Sequence, residues 1–244
     1  MQQRIRRSLA LSAGCVTILA VCIQAYAACH VKGCPPYTTQ PVALPQNQVI
    51  GVVATTAIPD GATTPMANAL STLNGQAGPT QNGTGTTFVQ YATYEDAAAA
   101  LGTNGVVVSI GFDTTSTTPP PCDGNTQIVG CGGYTPSSAG STTAESGTIT
   151  IYLGSQTCGG ACFNQNQSGY AAAIQGVIEH EFYHGLGIGN TSSPGQLMSP
   201  FTNENINGTL YSNNSAGTTS PQSCDKKETQ RAAKQRATGA PCPS

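Results

Sequence analysis

Three side chains within one short stretch are suited to hydrolytic chemistry. His180-Glu181-Phe182-Tyr183-His184 places two imidazoles four positions apart, with a glutamate next to the first. On a helix, residues four apart project from one face, so both rings can grip a single metal ion. Glu181 can then reach a metal-bound water without ligating the metal. The pattern, HExxH, supplies two ligands and a general base. The chain has only three histidines, and two of them fall at this spacing, which argues against two unrelated surface residues.

The elements around this stretch must hold it in place. Tyr170 to Leu186 reads as the best helix in the chain, with Ile174, Val177 and Ile178 forming its buried stripe. Gly185, Gly187 and Gly189 end it abruptly. A tight turn follows at Gly195-Gln196-Leu197-Met198-Ser199-Pro200 and presents a methionine. Upstream, Val49–Thr55, Thr86–Tyr91 and Val106–Phe112 read as strands, the last an almost unbroken apolar run. Gly147–Leu153 alternates Thr with apolar residues, as a half-exposed strand does. Pro65–Leu73 and Glu95–Leu101 have helical composition. Asp225–Arg236 reads as a closing helix capped by Ser223 or Asp225, with Glu228 in its first turn. Thr114–Ser146 reads as one long polar loop.

The chain begins as an exported protein does. Arg4, Arg6 and Arg7 precede an apolar run from Leu9 to Ile23, and Ala25-Tyr26-Ala27 offers small residues for signal-peptide cleavage. The expected organisation is a signal peptide over 1–27, an extended arm over 28–46 and one domain over 47–244. The mature protein is expected outside the cytoplasm, extracellular or periplasmic, with no membrane anchor and as a monomer. Of ten cysteines, Cys15 and Cys22 leave with the signal peptide and eight remain, an even number that suits disulfides in an oxidising compartment. Sequence proximity suggests four local loops: 29–34, 122–131, 158–162 and 224–242. A zinc held by Cys158 and Cys162 is the weaker alternative.

Charge excludes some partners. Of nine Lys and Arg, three lie in the signal peptide, leaving six against eleven Asp and Glu. So sparse and mildly acidic a chain does not call for nucleic acid or an anionic membrane. With no tryptophan, a base-stacking surface is also disfavoured.

From Ile174 to Pro200 the sequence resembles the metzincin zinc metallopeptidases, most closely the matrixin-like catalytic domains. Their zinc helix reads HExxHxxGxxH, in which the glycine turns the chain so that a third ligand reaches the metal. Here His180, Glu181, His184 and Gly187 occupy matching positions, and Met198 matches the methionine beneath the metal. Asp225 corresponds to the acid that braces the methionine turn. The resemblance implies an α+β fold with a twisted, mostly parallel sheet, an antiparallel edge strand, a zinc-binding helix, a methionine turn and a C-terminal helix. It also implies a zinc-dependent endopeptidase acting on a protein or peptide substrate, with Zn2+ as cofactor. Gly147–Leu153 would form the upper rim of the cleft, and Pro200–Tyr211 would line the pocket after the cut bond.

One departure matters. Asn190 stands where the third histidine belongs, and a neutral amide oxygen is a weaker donor. Asn190 ligates through that oxygen, another residue takes its place, or the site is degenerate and the protein a non-catalytic binding relative. Glu204, twenty residues past His184, is the main substitute, at a spacing like that of the gluzincins. Gly187 and the methionine turn have no role in that scheme, so the metzincin geometry is preferred. Asn190-Thr191-Ser192 also has the form of a glycosylation sequon. His30 and the Cys34-Pro35-Pro36 segment are remote candidates for the metal, read more simply as an exposed residue and a disulfide. Asp113, Asp123 and Glu145 are loop acids rather than a calcium site.

Overall fold

The computed structural model describes residues 30–77, 84–122, 129–156, 163, 169–193, 195–199 and 221–239. Among these residues nine elements follow in order: β1 (Val49–Ala54), α1 (Thr63–Ala77), β2 (Thr87–Tyr91), α2 (Tyr94–Leu101), β3 (Val106–Asp113), β4 (Gly130–Pro136), β5 (Ala144–Tyr152), α3 (Tyr170–Gly185) and α4 (Ser223–Thr238).

The strands form one sheet in the order β2-β1-β3-β5-β4. β1, β2, β3 and β5 run parallel, as near-continuous apolar runs such as Val106–Phe112 require when both faces are covered. Among the described residues β4 alone is antiparallel, and it forms an edge. The mixed α/β architecture, mostly parallel with an antiparallel edge strand, agrees with the expectation, but the edge lies elsewhere. β5, expected as the rim, is interior, paired with β3 on one side and β4 on the other. The edge strand arises inside the supposed loop Thr114–Ser146. Gly-Cys-Gly-Gly-Tyr-Thr-Pro has no apolar alternation, because this strand meets its neighbours through glycine backbone rather than through branched side chains.

Helix α3 packs on β4, β5 and α1, while α2 lies against β1, β2 and β3. Ile174, Val177 and Ile178 are all buried, as the stripe requires, and Phe182 and Tyr183 join them. Phe182 meets Phe88 of β2 edge to face, with ring centroids 4.9 Å apart. Each such side chain contributes about 1.5–3 kcal/mol by leaving water. The same core takes in Ile50, Val52, Ile110, Ile149, Ile151, Leu197 and Met198.

The arm before β1 differs from the expected local loop. Cys34 pairs with Cys224 of α4, 190 residues away, not with Cys29. Cys224 is therefore not bonded to Cys242. Cys122–Cys131 forms as expected, whereas Cys29, Cys158, Cys162 and Cys242 lie outside the described residues. The long-range bridge has a physical basis in the contacts beside it. Val31 N donates to Glu228 and Tyr37 Oη donates to Asp225 Oδ1 at 2.8 Å, which sets the arm along α4. That helix starts at Ser223, earlier than expected, with Gln222 as cap and Asp225 as its reciprocal partner. Among the described residues, no helix is long and apolar enough to cross a membrane.

Candidate metal centre

α3 carries His180 and His184 on one face, their ring centroids 4.8 Å apart and their planes nearly perpendicular. Nδ1 of His180 lies 2.8 Å from the carbonyl oxygen of Leu197. Nδ1 of His184 lies 3.0 Å from the carbonyl oxygen of Ile188. A carbonyl only accepts, so each contact places the ring proton on Nδ1 and leaves Nε2 as the nitrogen that would meet a metal. Burial pushes the His180 pKa down, against the opposing hydrogen bonds to Leu197 and to the Asn190 side chain. A neutral imidazole is the form a metal needs.

Asn190 is thus joined to His180 through its side chain while remaining exposed. It arrives there because the chain reverses after α3. Gly187 turns at φ +100°, and a Cβ on it would fall 2.1 Å from the Arg236 guanidinium. Arg236 donates to the Leu186 carbonyl at 2.7 Å, satisfying an end of α3. The strand-like run 187–190 then pairs with the arm. Thr39 bridges Ile188, Gly189 N donates to Thr38 O at 2.7 Å, and Thr38 N donates to Asn190 O at 3.0 Å.

Met198 is fully buried in the turn below. Asp225, itself fully buried, accepts from Leu197 N at 2.9 Å and Met198 N at 3.4 Å, and from Gln222 N at 2.8 Å. This is the bracing role expected of it. Tyr37 completes the set; burial, and then the Asp225 charge, pushes its phenol well above the usual range, so it remains a donor.

Glu181 is buried, with its carboxylate against the edge strand. A Cβ on Gly132 would lie 3.0 Å from Glu181 Oε2, and one on Gly130 would lie 2.9 Å from Oε1. Tyr134 Oη donates to the Glu181 carbonyl at 2.8 Å, clamping β4 to α3. Nothing in the sequence marked β4, Tyr37 or Gln40 as part of this site; their signal is tertiary.

Other candidates fall away from the pair or lie outside the described residues. His30 is exposed, and Cys34 is held in its disulfide, so no thiol is available there for a metal. Asp113 accepts from Thr115 N and Ser116 N and closes the turn after β3. Glu204, Asp123 and Pro200–Tyr211 are outside the described residues. Among the described residues no group of three His, Cys, Asp or Glu comes together; the polar side chains joined to the histidine pair include the Asn190 amide, at His180, and the Gln40 amide, 3.2 Å from Nδ1 of His184.

No family model and no curated protein matches the chain. Among solved structures, the crystal structure of archaemetzincin from Methanopyrus kandleri is similar to it, with a TM-score of 0.45 and 13% sequence identity over 77% of this chain and 96% of that one.

Proposed function

We propose that this chain is a secreted zinc-dependent endopeptidase of the metzincin kind, with His180, His184 and Asn190 as ligands and Glu181 as general base. The observation that carries the reading is the anchoring of both imidazoles at Nδ1 by backbone carbonyls, one from the methionine turn and one from the turn after α3. Such outer partners orient metal-binding histidines and fix their tautomer. A surface pair of histidines would have no use for them. The two disulfides among the described residues support export to an oxidising compartment.

Bound zinc would supply Lewis acidity toward a carbonyl and acidify a coordinated water. Glu181 takes the proton of the attacking water and returns it to the departing amine. The outer edge of β4, rather than β5, offers its main chain to an extended peptide, which adds as a further strand above α3. Asn190, as a neutral amide, makes the site a looser one than a third imidazole would. That same residue supports the second reading, a non-catalytic binding protein on this scaffold.

Treatment with a chelator should abolish cleavage of unfolded casein, and returned zinc should restore it. Cleavage that survives exhaustive chelation would rule out the metallopeptidase reading, and absence of cleavage with zinc bound would favour the binding protein.

A further inference from the structure

Gln40 of the N-terminal arm contacts the candidate metal centre directly, and its contact conflicts with a neighbouring one. Gln40 Nε2 lies 3.2 Å from Nδ1 of His184, the same nitrogen that lies 3.0 Å from the Ile188 carbonyl oxygen. An amide nitrogen only donates and a carbonyl only accepts, whereas Nδ1 of a neutral ring does one or the other. Both contacts cannot be satisfied by one tautomer. Donation from Gln40 requires a bare Nδ1 and puts the ring proton on Nε2, where it blocks a metal. Donation to Ile188 requires Nδ1–H and leaves Nε2 for the metal.

A half-turn of the Gln40 terminal amide removes the conflict. It exchanges Oε1 for Nε2 with almost no change of shape, so that Oε1 and the Ile188 oxygen both face Nδ1–H. Backbone contacts hold Gln40 beside the ring. Gln40 N donates to Gly187 O at 3.2 Å, and Thr39 next to it bridges Ile188.

Resting on the metal-centre reading above, we propose that Gln40 is a positioning residue for His184, its amide oxygen facing Nδ1–H beside the Ile188 carbonyl and so leaving Nε2 for a divalent metal. The arm is then a working part of the centre, not a tether in front of it.

Two substitutions separate the roles. Gln40→Glu can only accept at ordinary pH and should hold the metal-ready tautomer; Gln40→Leu keeps the volume and loses the acceptor. Zinc affinity would be measured on metal-free protein by competition with a chromophoric chelator. We expect Gln40→Glu to bind at least as tightly as wild type and Gln40→Leu about 10-fold more weakly, the low end for an outer partner because Ile188 still accepts. The imidazole nitrogen shifts of His184 give a second readout: proton on Nδ1 in metal-free wild type and Gln40→Glu, and a share of Nε2–H in metal-free Gln40→Leu. Equal affinity in all three proteins, or one unchanged His184 tautomer throughout, would overturn the role of Gln40 while leaving the metal centre standing. Failure of wild type to bind zinc would overturn both. If Gln40→Leu does not fold, Gln40→Ala replaces it in both measurements.

Discussion

The carbonyl oxygen of Leu197 stands 2.8 Å from Nδ1 of His180, so the methionine turn and the helix that bears the histidines are tied at one atom pair. The turn is in turn held by Asp225, whose two oxygens accept four hydrogen bonds, from Leu197 N, Met198 N, Gln222 N and Tyr37 Oη.

Asp225→Ala should therefore be among the most damaging single changes in the chain. It strands the buried backbone donors of Leu197 and Met198, at a cost of about 3–5 kcal/mol. For a domain of this size that is a fall of about 10 °C in Tm. A thermal melt that moves by less than about 3 °C would show that the brace is dispensable.

Gly132 gives a way to move the proposed general base without touching a proposed ligand. A Cβ there would press on Glu181 Oε2 from 3.0 Å. Gly132→Ala should lower kcat with zinc content unchanged, by less than the roughly 100-fold that misplacing a catalytic group by about an ångström costs, because the carboxylate need shift only slightly. Equal loss of zinc and activity would instead assign Gly132 to the folding of β4.

Glu179 sets a pH dependence. It is fully buried, and burial, opposed by hydrogen bonds from Gln175 and Thr72, raises its pKa to about 7 from 4.5. Between these values the folded protein holds a proton that the unfolded chain has lost, so stability falls as pH rises through the window and stays low above it. Glu179→Gln should be more stable than wild type by about 3 kcal/mol at pH 8 and nearly equal to it at pH 4.5. Urea melts of both metal-free proteins at the two pH values check this; a difference independent of pH would contradict it.

The parts of this fold that could be read from the residues are those specified locally. The apolar run at Val106–Phe112 and the stripe Ile174, Val177, Ile178 mark a buried strand and a packed helix because their periodicity reflects the surface they bury. HExxH places two rings on one face by helix geometry alone. β4 was illegible for the opposite reason: Gly130 and Gly132 contribute nearness to Glu181 rather than side chains, and a glycine-rich segment reads as a loop. The Cys34–Cys224 bridge spans 190 residues, and only the docking of the arm on α4 brings its ends together. Gln40 and Tyr37 are ordinary polar residues of an irregular arm until tertiary structure sets them against His184 and Asp225.

The most direct test is the zinc content of the purified mature protein and of its Glu181→Gln form, with casein cleavage assayed on both. The account predicts about one zinc per chain in each, and cleavage by the wild type alone, reduced by at least about 100-fold in the variant. Wild-type protein that takes up no zinc when it is supplied in excess would contradict the central claim.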